Sequence, residues 1–401
     1  MNILLLCNKS PYPSKDGGSI ATSAMSEGFA KHGHKVSILA INTPKHHTNE
    51  AEIKSFLPEN VDIKLIDVNT KLNIFRFFRN LFFSDIPYNA ERFYSKNLEN
   101  ELVELLKASI FDVIQIEGLY MSFYVPKIRE YSKAFVSYRA HNIESDIWFR
   151  SFSGERNLLK KWYVNILYRR LKKFETAFLN QYDVLVPITK VDGEKLQNMG
   201  NIKPVLVTPA SFDPQKILYE PDSVRYPSVF FIGALDWTPN QEGLFWFVDK
   251  VWPLVKKQRN DIEFTVAGRN APSWLIRKLK KRKINFMGEV EDSQKFMNTF
   301  AVMIVPLFAG SGMRVKIAEG MLLGKAIVTT TLGTEGIETT HEENIMIADS
   351  IWDFSESVLQ LISKRDFYDS ISKKARLFAL NYNQNSMNIE ELLNFYNSSK
   401  I

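Results

Sequence analysis

Cysteine is nearly absent from this 401-residue chain, with Cys7 the only one. A lone cysteine excludes an intrachain disulfide framework and a cysteine-based zinc site, and such sparse usage fits a reducing compartment. Histidine is scarce too. The six residues are scattered apart from His46-His47 and show no HExxH spacing, so nothing supports a metal centre. No apolar run approaches the about 20 residues that cross a bilayer. The apolar start, Asn2 to Cys7, stops at Asn8-Lys9-Ser10-Pro11, too short for the core of a signal peptide, and reads better as a first strand. A GxGxxG fingerprint is also missing, which disfavours a dinucleotide cofactor. The formal charge of +6 is modest for this length. It does not imply nucleic acid, but it suits anionic substrates or an anionic membrane surface.

The remaining composition is ordinary, with 45% hydrophobic and 24% charged residues, as in soluble globular proteins. The length exceeds one small core and favours two domains. Short apolar runs alternate with helical patterns throughout, which predicts an α/β fold with parallel sheets. Ile3–Leu6, His34–Ile41, Asp112–Ile116, Ala134–Tyr138, Asp183–Val186 and Lys203–Val207 read as strands of a first half, residues 1–207. The Lys9–Gly18 loop and a helix over Ser19–His32 complete its opening β–loop–α–β unit, of Rossmann type. Pro209, Pro214 and Pro221 break the pattern over 208–225, a linker. Ser228–Ile232, Ile262–Val266, Ile284–Met287, Val302–Val305 and Ala326–Thr329 are the strands expected in a second half, 226–380. A terminal helix over 381–401 is expected to pack back toward the first half.

The most informative stretch is Val302–Glu338, VMIVPLFAGSGMRVKIAEGMLLGKAIVTTTLGTEGIE. It reads as a buried strand, a Gly-rich loop, a helix opening near Met313 and a second strand. Gly310 and Gly312 permit close approach of a ligand to the backbone. The helix behind them offers unpaired N–H groups and a positive dipole end. Arg314 and Lys316 in the first turn oppose that dipole, a conflict that a phosphate anion would resolve. Glu319, one turn on, is an acceptor suited to sugar hydroxyls. The plain alternative is an ordinary βαβ unit with a Lys316–Glu319 surface pair. In the first half, Gly17-Gly18 and His141 fall at carboxyl ends of strands, where doubly wound folds bind ligands. His141 can orient a hydroxyl or exchange a proton near neutral pH. The plain alternatives are a turn and a structural histidine.

Two segments are both basic and apolar. Lys71–Asn89 interleaves five Phe with Lys71, Arg76 and Arg79, and Arg156–Glu175 carries six Lys or Arg beyond its first residue. Either can lie on a membrane surface; for 156–175 a solvated charged face explains the pattern equally well. For 71–89 a helix packed on the sheet, its Arg side chains reaching outward, is the commoner arrangement and the one expected here.

Taken together, GSGMRVKIAEGMLLGKAIVTT and the following GTEGI resemble the donor-site signature of family 4 glycosyltransferases of GT-B fold, along nearly the whole chain. Trp237-Thr-Pro-Asn240 and Arg139-Ala-His-Asn-Ile-Glu144 are similar to a bacterial subgroup of sugar transferases. The resemblance implies two Rossmann-like domains facing a cleft that closes on its substrates, a nucleotide-diphosphate-sugar donor and a glycan or lipid-linked acceptor. It further implies polysaccharide biosynthesis, retention of anomeric configuration, and neither cofactor nor metal. Glu319 would bind the ribose, Arg314 and Lys316 the pyrophosphate, and Met287-Gly288 would edge the base. Gly233, Gly310, Ser311, Gly312 and Met313 would line the donor. Gly17 and Gly18 would approach the phosphates, and His141 the transferred sugar or acceptor. The first Glu of the family's Glu-x7-Glu motif is Ser311 here. Residues 234–240 also lack the family's usual basic residues, leaving that charge to Arg314 and Lys316. A cytoplasmic location, or one at the inner face of the membrane, is expected. Two alternatives are a nucleotide-sugar epimerase of the same fold and a non-catalytic sugar-nucleotide or glycan-binding partner.

Overall fold

The structure, a computed structural model, describes residues 1–14, 16–155, 157–210, 212, 216–310, 312–386 and 389–399. It divides into two compact units, Met1–Ser211 with Met387–Ile401, and Phe212–Ser386.

The first unit is built on six parallel strands: β1 (Asn2–Cys7), β2 (Lys35–Asn42), β3 (Val61–Asp67), β4 (Val113–Glu117), β5 (Phe135–Ala140) and β6 (Val184–Pro187). Their order is β3-β2-β1-β4-β5-β6, so chain direction across the sheet reverses between β1 and β4. That switch opens a crevice beyond the carboxyl ends of these two strands. β1 is apolar on both faces because both are covered: Leu4 and Leu6 join one core cluster, Ile3 and Leu5 the other. Helix α1 (Gly17–Lys31) follows β1. Gly17 and Gly18 therefore form its first turn rather than a loop, because Asp16 caps Ser19 N at 3.0 Å.

Three further helices matter below: α2 (Ile74–Phe83), α3 (Glu144–Gly154) and α4 (Leu158–Phe178). Several expectations need correction. β3 was not anticipated, since its residues alternate in burial at the sheet edge instead of forming an apolar run. Residues 203–207 are no strand; they make a single bridge, Leu185↔Val205, where Pro204 has no N–H to donate. The expected helix from Arg156 begins at Leu158, with Arg156 outside the described residues. Helix α2 does not bury its aromatic face on the sheet. Phe75, Phe78, Phe82 and Phe83 are exposed, and Phe77 and Asn80 face inward instead.

The second unit repeats the plan with β7 (Arg225–Ile232), β8 (Phe264–Ala267), β9 (Asn285–Gly288), β10 (Phe300–Val305), β11 (Ala326–Thr329) and β12 (Met346–Ile347). The parallel order β12-β11-β10-β7-β8-β9 places the reversal between β7 and β10. Helices α5 (Thr238–Trp246), α6 (Ser293–Thr299), α7 (Val315–Leu322), α8 (Ile351–Ser363) and α9 (Arg365–Ser386) flank this sheet. The chain then returns to the first unit as α10 (Ile389–Ser399), whose Ile389, Leu392, Leu393 and Tyr396 enter the core beneath β1. Tyr396 fixes that docking by donating to Gln115 Oε1 at 2.6 Å. Among the described residues no helix is long and apolar enough to cross a membrane.

Candidate functional site

In the second unit the strands that flank the reversal, β7 and β10, end in Gly233 and in the loop 306–314. Neighbouring strand ends are tied to them: Gly233 N donates to Ala267 O at 3.3 Å, and Gly268 N to Gly288 O at 2.7 Å. Gly310 has a φ of +116°, a region that favours glycine. A Cβ added there would lie 3.1 Å from Arg314 Nη2 and 3.3 Å from the Trp237 ring. The bare backbone thus lets an aromatic wall and a guanidinium meet over the loop. Ser311 lies outside the described residues. Met313 is buried, and Arg314 precedes α7 with only 6% of its surface exposed and Nη1 donating to Gly312 O at 2.7 Å.

Lys316 sits in the first turn of α7. Its Nζ donates to Asn240 Oδ1 at 3.0 Å and stands 4.8 Å from the centre of the Phe231 ring. Asn240 is oriented for this by its own Nδ2, which donates to Ala234 O at 2.9 Å. A Cβ at Gly233 would meet Asn240 Nδ2 at 2.9 Å and Lys316 Nζ at 3.5 Å, which puts Gly233 in the same cluster. Burial, and then the neighbouring Arg314 charge, push the Lys316 ammonium down to about 7. Among the described residues its contacts are an amide oxygen and a ring face, with no carboxylate. Two adjacent cations in this setting form a place for an anion.

One turn further, Glu319 is half-buried, with Gln294 Nε2 at 3.5 Å. Burial raises its carboxyl to about 7; the Gln294 contact opposes this and the Asp292 charge adds to it. Asp292 caps α6, and Gln294 in that helix accepts from Leu218 N at 2.9 Å. Met287 is exposed on β9 beside Gly288. Gly233, Gly310, Gly312, Arg314 and Lys316 thus meet at the reversal. Glu319 stands a turn along α7, and Met287-Gly288 two strands along the same edge. Asn240, Trp237 and Gln294 were not singled out from sequence as functional residues. Only their place just after β7, Trp237 capping α5 and Asn240 in its first turn, could have signalled Trp237 and Asn240.

Gly17, Gly18 and His141 belong to the first unit. His141 follows β5, and its Nε2 lies 2.6 Å from Glu117 Oε2 at the carboxyl end of β4. Thr22 Oγ1 of α1 donates to the same carboxylate at 3.0 Å, and Gln115 Nε2 donates to Oε1. Burial opposes the charge on Glu117. The hydrogen bond and charge of His141, with Arg139 and Gln115, nevertheless hold its carboxyl below the usual range. Glu117 therefore fixes the His141 ring and ties it to the helix that begins with Gly17-Gly18. Sequence reading passed over this glutamate, although an acid ending the apolar run VIQIE is a signal of its kind.

Residues 226–364, the bulk of the second unit, match the family of glycosyl transferases group 1. The match spans about a third of the chain. A protein of Klebsiella pneumoniae described as an uncharacterized 44.6 kDa protein in the cps region is 25% identical over 366 residues, covering 89% of this chain and 90% of its own. Among solved structures, sucrose-phosphate synthase from Thermosynechococcus elongatus superposes with a TM-score of 0.72 at 10% identity, covering all of both chains. Anabaena HepE in complex with UDP and glucose gives 0.68 at 12% identity, covering 98% of this chain and 99% of its own. Two six-stranded parallel sheets flanked by helices are the GT-B fold. Match and fold together mark the chain as a glycosyltransferase.

Proposed function

We propose that this glycosyltransferase moves a sugar from a nucleotide-diphosphate sugar to a glycan or lipid-linked acceptor in polysaccharide biosynthesis. The observation that carries the donor half is the pair Arg314 and Lys316, held side by side at the β7/β10 reversal with only neutral partners at the lysine. Transfer breaks the bond between the anomeric carbon and a diphosphate oxygen and forms a bond from the acceptor oxygen to that carbon, while the acceptor hydroxyl gives up its proton to the departing diphosphate. Negative charge grows on the departing diphosphate, and preorganised donors at that point lower the barrier. The two cations and the amides at the start of α7 have this placement. Glu319 takes the ribose hydroxyls, and Met287-Gly288 flank the base. In the first unit, the His141–Glu117 pair is equipped to orient a hydroxyl. The family resemblance supports retention of configuration and a reaction that needs no metal. The cps-region relative and the UDP-bound neighbour support the substrate class.

The test is a panel of nucleotide sugars. One should raise the melting temperature, since a ligand bound only by the folded state stabilises it. With acceptor glycans present, the same donor should yield nucleoside diphosphate and a lengthened glycan. Conversion of the donor sugar without acceptor would mean an epimerase, and binding with neither reaction a non-catalytic partner.

A further inference from the structure

The apolar face of α2 has nothing over it among the described residues. Phe75 and Phe83 are 84% and 85% exposed, and Phe78 and Phe82 at least half. The helix is nevertheless firmly placed. Phe77 packs on Tyr88 and Tyr163 with ring centres 5.8 and 5.2 Å away. Arg170 of α4 donates to the carbonyls of Asn80 and Leu81 at 3.0 and 2.8 Å, closing the C-terminal turn. The contact with Tyr163 brings the exposed start of α4 alongside: Leu158 and Leu159 are each 82% exposed, and Trp162 is exposed too. Four phenylalanines alone offer on the order of 500 Å² of apolar surface, as much as the largest patch of an ordinary monomer, which is often functional.

Charge decides what covers it. Residues 71–85 and 157–173 contain nine Lys or Arg against one acid, Asp85. At the border Glu91 and Glu155 each pair with one of them, Arg79 and Lys160. Along α4, Arg169 and Lys173 follow Trp162 at seven and eleven residues, so they share its helical face. Arg169, Lys172, Lys173, Tyr168 and Thr176 line a shallow open depression there. A second copy would bring this cationic surface against itself, and protein interfaces exclude lysine from their centres. Aromatic and leucine side chains ringed by Lys and Arg are instead the composition of helices that lie in a lipid headgroup layer.

We propose that α2 and the first half of α4 form a docking surface for an anionic membrane. Phe75, Phe78, Phe82 and Phe83 enter the acyl boundary beside Leu158, Leu159 and Trp162, while the cations meet lipid phosphates. The full chain should co-sediment with vesicles containing phosphatidylglycerol in phosphatidylcholine. Pure phosphatidylcholine and high salt should both weaken the binding. Phe75→Ser with Phe83→Ser should lower partitioning about 100-fold, about tenfold per side chain withheld from lipid. Arg76→Gln with Lys161→Gln should lower it about 30-fold on anionic vesicles and leave neutral vesicles unaffected. Phe75, Arg76 and Phe83 are exposed, and Lys161 is half-buried with its ammonium over the Phe152 ring; the melting temperature of the Phe variant should therefore not move, and that of the Arg76–Lys161 variant should move little. Equal binding to neutral and anionic vesicles, or none, overturns the proposal. So does sedimentation equilibrium showing that the Phe variant loses a dimer while vesicle binding stays intact. No sugar nucleotide enters the experiment, so its outcome is separate from that of the donor assignment.

Discussion

Lys316 and Glu319 make a proton balance that donor binding must disturb. Without ligand both side chains are held to about 7, the lysine from 10.5 and the glutamate from 4.5. At pH 8 roughly a tenth of Lys316 carries its proton. A diphosphate beside it restores the charged form, so binding takes up about 0.9 proton. At pH 6 Lys316 is already charged, but Glu319 is mostly neutral. Accepting ribose hydroxyls as a carboxylate then releases about 0.9 proton. The net count should change sign, passing through zero near pH 7. Titration calorimetry of a nucleotide-diphosphate sugar in buffers of different ionisation enthalpy measures this count directly. The diester diphosphate of such a donor has no proton of its own to exchange in that range. Lys316→Met should abolish the uptake at pH 8 and keep the release at pH 6; Glu319→Gln should do the reverse. Binding with no proton exchanged at either pH would refute the placement of both residues at the ligand. The sign for the unliganded protein is separate. The Lys316 penalty is full below pH 7 and disappears as pH rises toward 10.5, so Lys316→Met should stabilise the fold most at or below neutral pH.

Three further outcomes follow from the geometry. Arg314→Ala should lower kcat on the order of 100-fold, as the loss of one preorganised donor does, with steady-state transfer kinetics as the check and unchanged turnover as the contrary result. Gly310→Ala forces a side chain onto a φ of +116° between Trp237 and Arg314; the strain should lower the melting temperature by a few degrees, and displacement of Arg314 should lower donor affinity about tenfold, seen by calorimetry. Glu117→Gln should leave the fold standing yet cut kcat by roughly 10- to 100-fold, as loss of a partner that fixes a functional histidine does. Its pH–rate profile should shift with it, and a profile identical to that of the parent would assign Glu117 to structure alone.

The fold class was legible because its signals are local. Ile3–Leu6 and Val302–Val305 are continuous apolar runs, and only strands covered on both faces tolerate that. The Gly310-x-Gly312 pattern followed by two cations stood out in the same way, since it lies within seven residues. What escaped reading depends on contacts between distant segments. Glu117 meets His141 across 24 residues, and Asn240 meets Lys316 across 76. Nothing in either local sequence names its partner. The error at α2 has a different source. Periodicity shows that a helix has an apolar face but not which way it turns. Here buried Asn80 and the contacts of Phe77 set the inner side and leave the other phenylalanines outside.

A crystal soaked with a nucleotide-diphosphate sugar tests the account most directly. Diphosphate density within hydrogen-bonding reach of Arg314, Lys316 and the amides that open α7, with the ribose on Glu319, is the expected result. Density elsewhere on a molecule whose α7 start stays empty would contradict it.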